Sequence, residues 1–401
     1  MNLQLDHELE EFRQEIRQFL KQNLTQDLIR RSKVGVHPPN EEDRRAWNKV
    51  LHDKGWSAPA WPKEYGGPGW SSIQRHIFEM ECRLAGAPEL RWQGLRLIGP
   101  VIYTFGTDEQ KQRYLPKILS GEEQWAQGFS EPEAGSDLAS LRTSAVLDGD
   151  EYVINGQKLW TTEGIYSEQG FFLCRTDSGV KAQAGISMLL VDMKTPGITV
   201  RTIDMINGDA STCEVFLDNV RVPKSAMLGD PGSAWTQTKF LLGNERTSSA
   251  DIEKSYADIA HIKTIARGEL KNDKPLIEDA EFRSQLTLLA LEVEALEWAV
   301  LRVLCDAPSN FSVGARASVL KVRGSGLQQK ITEFAFNTLG QKALRLYNRE
   351  SAWQQVVDDQ ATWPNYAPGV ASDALYARAF TIYGGAMEVQ KNIIAKVAFG
   401  L

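Results

Sequence analysis

Tyr152-Val153-Ile154-Asn155-Gly156-Gln157-Lys158-Leu159-Trp160-Thr161-Thr162 is where the chain changes character. β-branched and aromatic residues surround an Asn-Gly pair, which predicts a hairpin turning at Asn155-Gly156 with Gln157 to Thr162 as its returning strand. Further on, Phe171 to Cys174, Ile186 to Val191, Ile198 to Ile203 and Thr212 to Leu217 read as short strands separated by Gly, Pro, Asn or Asp. A β region therefore extends from Trp125 to about Val222, spaced as a small sandwich or barrel.

On both sides the periodicity is helical. Leu5, Leu9, Phe12, Ile16 and Phe19 recur at steps of three and four, which predicts an amphipathic opening helix. A second helix is expected from an N-cap at Asn40 to Gly55, and a third over Ser72 to Ala85. Thr107 and Gln110 have capping-box spacing for a helix that continues past Pro116 toward Leu119. Beyond Trp235, Leu289, Val293, Leu296 and Val300 mark one face of a helix over Leu286 to Leu304, and another follows over Val319 to Leu339, with Asn365 to Gly369 as an irregular loop. The fold class is α+β: an N-terminal α-helical domain (1–122), a middle β-sandwich or barrel domain (123–232) and a C-terminal α-helical bundle (233–401).

The composition sets limits on function. With 42% hydrophobic and 24% charged residues, the 401-residue chain has material for two or three cores and is not a disordered one. Forty-five Lys and Arg against 52 Asp and Glu give a net charge of −7, so no electrostatic attraction to polyphosphate is expected and nucleic acid is not a partner. Cys82, Cys174, Cys213 and Cys305 form no CxxC pair, and the five histidines form no HExxH, so no metal is expected and the thiols read as reduced and buried. An acidic N-terminus without an apolar run, and no stretch long enough to span a bilayer, predict no membrane insertion and a cytoplasmic location. Gly128-Phe129-Ser130 lacks the closing glycine of a nucleophile elbow, Gly324-Ser325-Gly326 lies in a helical pattern without a preceding strand, a packing or surface role is expected for both, and no Walker A run occurs.

Gly128-Phe129-Ser130-Glu131-Pro132-Glu133-Ala134-Gly135-Ser136-Asp137 resembles the first signature of the acyl-CoA dehydrogenase family, a strand followed by a turn facing the flavin. Asn155 to Thr162 is similar to that family's strand carrying a tryptophan beside the flavin and a threonine near its reactive nitrogen. Gly55-Trp56 and Pro62 to Gly69 resemble the family's N-terminal loop, and Phe216 to Pro223 its exit from the β domain. The resemblance covers nearly the whole chain and implies FAD as cofactor, held by Phe129, Ser130, Gly135, Ser136, Trp160, Thr161, Thr162, Ala386 and Glu388. It implies contacts from Ser136, Arg246, Tyr383, Gly384 and Gly385 to an acyl-CoA substrate.

Many members of the family take their base from a Tyr-Glu-Gly turn near the C-terminus, where this chain has Tyr383-Gly384-Gly385. Glu245-Arg246 resembles the pair other branches use, so the resemblance moves the α-proton base to Glu245. It implies α,β-desaturation to a trans-2-enoyl-CoA, as in fatty acid β-oxidation, with electrons passed to an electron-transfer flavoprotein. The family's Arg-x-x-Phe-Gly and Gln/Gly-x-Gly segments, which reach a neighbouring subunit's cofactor, have no clean counterpart at Ala266 to Lys271 or Asn337 to Gln341. With the Gly-Gly turn, this resembles the large subunit of pimeloyl-CoA dehydrogenases, some relatives of which form α2β2 assemblies acting on dicarboxylic or steroid side-chain thioesters. A homodimer, a homotetramer and such a heterotetramer all stay open. A related acyl-CoA oxidase and a non-catalytic partner subunit are the competing functions.

Overall fold

The computed structural model describes residues 6–32, 41–245, 250–305, 313–345 and 363–401, with side chains throughout these except at 243–245 and 313. Among the described residues, the first 120 are helical: α1 (His7–Asn23), α2 (Gln26–Ser32), α3 (Glu41–Lys54), α4 (Ser72–Ala85), α5 (Gly99–Phe105) and α6 (Asp108–Ser120). The Thr107–Gln110 capping box forms with both reciprocal bonds, and α6 runs through Pro116 to Ser120 as expected. The α3 helix stops before Gly55, while its expected N-cap Asn40 lies outside the described residues. Ile16 and Leu20 of α1 pack with Trp47, Leu51, Trp56 and Phe78 in an aromatic-rich core.

The middle region is one eight-stranded sheet ordered β6-β7-β3-β2-β4-β5-β8, with β1 parallel to β4 at its side. The strands are β1 (Trp125–Gly128), β2 (Ser144–Asp148), β3 (Glu151–Thr162), β4 (Gln169–Arg175), β5 (Ile186–Asp192), β6 (Ile198–Thr202), β7 (Thr212–Pro223) and β8 (Met227–Leu228). The sheet folds over itself, because β4 and β5 are apolar on both faces. Phe171, Leu173, Met188 and Leu190 pack against the N-terminal helices. Phe172, Cys174, Leu189 and Val191 pack against Val215, Leu217, Val220 and Val222 of β7.

The hairpin expected at Asn155-Gly156 is not there. The chain reverses six residues before Asn155, at Gly149, with Asp148 paired to Glu151, and β3 runs straight through Asn155, which pairs with Ser144. Asn-Gly serves a bulge instead: the register with β7 slips between Ile154 and Gly156, and the Asn155 side chain accepts a bond from the Asn219 N–H at 2.8 Å. Any side chain at Gly156 would meet the Thr143 backbone at 2.7 Å, so the close approach of β2 selects glycine. Phe216 to Pro223 forms the second half of β7, kinked at Asn219, the last long strand before the C-terminal helices. The thiols also depart from expectation: Cys174 and Cys213 are buried, Cys82 is half-buried and Cys305 is exposed, all unbridged.

The C-terminal helices are α7 (Ala234–Glu245), α8 (Ile252–Gly268), α9 (Ala280–Leu304), α10 (Val313–Leu339), α11 (Val370–Tyr376) and α12 (Met387–Phe399). Ile262 and Ile265 of α8, Val293 and Val300 of α9 and Ile331 of α10 form their core. Gly324 does have a packing role, since a Cβ there would stand 2.7 Å from Ala250. No described helix is long and apolar enough to cross a membrane.

Two buried charge clusters hold these parts together. Lys158 of β3 is wholly buried, and its ammonium donates to Glu131 Oε1 at 2.7 Å, Leu173 O at 2.7 Å and Phe129 O at 3.3 Å, which uses all three protons. Glu131 also accepts from the Arg142 N–H at 2.6 Å and the Thr143 N–H at 2.9 Å. Burial pushes the Glu131 carboxyl up, but Lys158 and these donors bring it below the usual carboxylate range. At the seam between domains, His76 of α4 lies 3.6 Å from Glu253 of α8 and 3.1 Å from Glu297 of α9, which also accepts from Tyr256. Burial alone would lower the imidazole, yet the two carboxylates carry it up to about 9.

Lys158→Met strands a buried carboxylate, so it is expected to cost about 3–5 kcal/mol in urea unfolding. Adding Glu131→Gln should recover part of that loss, and a Lys158→Met protein as stable as wild type contradicts the reading. His76 is raised above its unfolded value of 6.5, so its stabilisation is complete below pH 6.5 and fades as pH rises through about 9. Thermal melting from pH 6 to 9.5 is expected to show a decline that His76→Gln abolishes; parallel profiles for the two proteins would remove His76 from the seam's pH response.

Candidate active site

The first signature segment begins where β1 ends. Phe129 is buried edge-on against Phe171, with centroids 5.6 Å apart, and Ser130 follows half-buried. Glu131 and Ala134 then exchange two backbone hydrogen bonds of 3.0 and 3.1 Å around Pro132-Glu133. That tight turn leaves Gly135 and Ser136 exposed. The segment is fastened to β3 by the Lys158–Glu131 pair and by the Leu159 N–H, which donates to Ser130 O at 2.8 Å.

The end of β3 departs from regular strand geometry. In an unbroken strand Trp160 would share the face of Lys158, but Lys158 is wholly buried and Trp160 is 54% exposed. The switch occurs at Trp160 itself, held at φ +62° where the register with β7 slips between Lys158 and Thr161. Alternation then resumes, with Thr161 buried and Thr162 half-buried beside the exposed indole. A left-handed backbone at a bulky residue is costly, roughly 1–2 kcal/mol, and persists where the surroundings over-determine it.

The C-terminal elements are placed by α10 and an aromatic cluster. The Tyr383 ring lies 5.7 Å from that of Phe380 and 6.3 Å from that of Tyr376. Gly384 and Gly385 are exposed with φ of +63° and +93°, Ala386 is the N-cap of α12, and Glu388 is exposed in its first turn. The buried Lys321 of α10 sets its ammonium 5.0 Å from the Tyr383 ring centre and 3.4 Å from where a Cβ on Gly384 would stand. From the sheet, Asn207 reaches Ser372 of α11 at 3.4 Å, and the Glu163 N–H, just past β3, donates to Ser211 O at 2.7 Å. Glu245 is the last residue of α7, its side chain outside those described, and Arg246 lies outside the described residues.

The structure thus joins Phe129, Ser130, Trp160, Thr161 and Thr162 through direct contacts between their segments, whereas Tyr383 to Glu388 is tied to α10 and the aromatic cluster. Sequence reading missed Glu131, Lys158, Glu163 and Lys321. Glu131 and Lys158 stand inside the two quoted segments, but nothing local pairs charges 27 residues apart.

These residues fit a flavin. A half-exposed indole offers a flat apolar surface. Half-buried hydroxyls at Ser130 and Thr162 and an exposed Gly/Ser turn add polar groups at its edge. The Thr161 Oγ1 is buried without a hydrogen-bond partner among the described residues. No cluster of three or more His, Cys, Asp or Glu side chains suited to a metal occurs among the described residues.

The chain is similar to known proteins along nearly its whole length. Residues 6–122 match the acyl-CoA dehydrogenase N-terminal domain, 126–220 its middle domain and 235–399 its C-terminal domain. The chain is 36% identical over 364 residues to acyl-CoA dehydrogenase IpdE1 of Mycobacterium tuberculosis, covering 90% of this chain and 88% of that protein. Among solved structures, the Tcur3481-Tcur3483 steroid ACAD superposes with a TM-score of 0.84 at 28% identity, covering 100% of this chain and 99% of that one. The ChsE4-ChsE5 complex from Mycobacterium tuberculosis does so with 0.81 at 29%, covering 100% and 99%. The chain belongs to the acyl-CoA dehydrogenase family and is an FAD-dependent flavoenzyme.

Proposed function

We propose that this enzyme desaturates an acyl-CoA thioester between its α and β carbons, releasing a trans-2-enoyl-CoA. The observation that carries the reading is the fastening of the 128–137 turn to β3, which sets Ser130 beside an outward-facing Trp160 and Thr162. FAD, when bound, supplies the acceptor for the β-hydrogen as hydride. Trp160 packs against the cofactor's flat face, and Phe129, Ser130, Gly135, Ser136, Thr161, Thr162, Ala386 and Glu388 complete its site. Ser136 and Arg246 hold the pantetheine or acyl part, with Tyr383, Gly384 and Gly385 beside the reacting carbons.

Glu245 removes the α-proton. An ordinary carboxylate is too weak a base for a thioester α-carbon, so the reaction needs one raised by desolvation. The helix that Glu245 ends is withdrawn from water, with Ala234 and Leu241 wholly buried and the polar Gln237 and Thr238 nearly so. The backbone N–H of Gly384 donates to the thioester oxygen, where charge develops as the proton leaves. Absence of a side chain at 384 keeps that approach open.

The similarity to a steroid ACAD and to a two-protein complex supports a finer reading. The substrate is a bulky or carboxylated CoA thioester, and the chain works in an α2β2 assembly with a related subunit, passing electrons to an electron-transfer flavoprotein. Co-purification with such a subunit and fewer FAD molecules than chains is the expected result; a homotetramer saturated with one FAD on every chain contradicts the paired assembly.

Glu245→Gln keeps size and hydrogen bonding but cannot accept the proton. Flavin reduction by substrate in stopped flow is expected to slow by roughly 10²–10⁴-fold with substrate affinity retained. Near-normal reduction would place the base elsewhere. Arg246→Ala is expected mainly to raise KM, and unchanged kinetics would take Arg246 out of the substrate site.

A further inference from the structure

We propose that Glu163 is a positioning residue for the flavin-facing pair Trp160 and Thr162, anchoring the end of their strand in a basic cradle made by Arg44 and Arg91 of the N-terminal helical domain. The inference rests on the placement of the flavin against Trp160 and Thr162 given above. Glu163 is the residue after β3 and stands at φ +57°, so two bulky left-handed residues fall within four positions of the chain. Its carboxylate is almost wholly buried and bonds the Arg44 guanidinium, itself 3% exposed, 119 residues away in sequence. Arg91, also 3% exposed, sets its Nε 3.7 Å from the other carboxylate oxygen.

The cradle is itself held by further partners. Arg44 Nε donates to Glu89 O at 2.9 Å, and Arg91 donates twice to Glu41 Oε2, at 2.6 and 3.1 Å. The Arg91 guanidinium also lies over the Tyr166 ring at 5.0 Å. The Glu163 backbone is fixed as well, its N–H donating to Ser211 O and its carbonyl accepting from the Tyr166 N–H and the Ser167 hydroxyl. Leu159 to Thr162 is thus suspended between two buried ion pairs, Lys158–Glu131 within the sheet domain and Glu163–Arg44 across to the helical domain. A strained backbone between two fixed ends has one place to put its side chains. Removing the second anchor frees the outward face of Trp160 and Thr162 while the fold's apolar cores stay intact.

The test is FAD titration of the apo-protein, prepared with its partner subunit if it has one, followed by flavin fluorescence quenching and the visible spectrum of the bound flavin. Glu163→Gln and Arg44→Met are expected to weaken FAD by about tenfold or more, with a shifted flavin spectrum and substrate reduction slowed by up to roughly 10²-fold, the scale of a misplacement near 1 Å. Arg44→Lys is expected to restore most of each property. Arg17→Met, which breaks the Arg17–Glu81 pair elsewhere in the same domain, is the control, losing melting temperature with FAD affinity and spectrum unchanged. Should Glu163→Gln fail to fold, Glu163→Asp and Arg44→Lys, which keep both charges, are compared in its place, with smaller spectral shifts expected. Wild-type FAD affinity and spectrum in the Glu163 and Arg44 variants, with melting lowered as in Arg17→Met, would overturn the proposal and leave a purely structural ion pair. If Trp160→Ala also leaves FAD binding and spectrum unchanged, the flavin placement has failed along with it; if Trp160→Ala alone weakens binding, only the role of Glu163 falls.

Discussion

A charge pair that cannot reach water sets the frame for the rest of the molecule. Lys158 and Glu131 are buried together, and isolated in that environment either would cost several kcal/mol. The cost is offset only when every proton and lone pair finds a partner, so the β1–β2 connection and β3 have one arrangement in which both can be buried. In that arrangement Phe129 O and Leu173 O complete the ammonium, and the Arg142 and Thr143 N–H groups complete the carboxylate. The order of packing follows. With β3 tied to the turn after β1, β4 and β5 lie between the N-terminal helices on one face and β7 on the other, which buries the apolar side chains that both faces of those strands carry.

The same pair explains how an enzyme can keep a large indole exposed. Hydrophobic packing would draw Trp160 inward, and the strand's period of two would place it beside Lys158. The left-handed turn at Trp160 breaks that period, and its energy is modest beside what the buried ion pair would lose if β3 shifted by one residue. The surface proposed to meet the flavin is therefore held by an interaction that never touches it. Just past the end of the strand, Glu163 meets the N-terminal domain in the same way, so the stretch carrying Trp160 and Thr162 belongs mechanically to two domains.

Local signals in the sequence carried the helices well, because their determinants are local. The reciprocal bonds at Thr107 and Gln110, the stop at Gly55 and the spacing of Leu289, Val293, Leu296 and Val300 all involve residues within a turn or two of one another. Asn155-Gly156 misled for a matching reason. Those residues suit any tight backbone event, and here the event is a bulge demanded by the approach of Thr143, 12 residues earlier in the chain. The signature turn and strand were legible as segments, yet the charges that hold them were not, since Glu131 and Lys158 pair across 27 residues and Arg44 and Glu163 meet only after two domains have docked. Lys321 was invisible for the same cause: on α10 it reads as one polar position among many, and its meaning comes from Tyr383 arriving on a different element.

Lys321 also bears on where a base can stand. A carboxylate at position 384 would project from a backbone at φ +63°, toward an ammonium 3.4 Å from its Cβ. A neighbouring cation holds a carboxylate ionised and lowers its proton affinity, the reverse of what abstraction of a thioester α-proton requires. A glycine there avoids both the backbone strain and that pairing, and leaves its N–H free to face the thioester oxygen. A base at the end of α7 approaches from a helix withdrawn from water, with Ala234, Gln237, Thr238 and Leu241 buried, where desolvation acts in the direction the chemistry needs. On the proposed reading the two positions divide the work, Glu245 taking the proton and Gly384 meeting the charge that its removal creates.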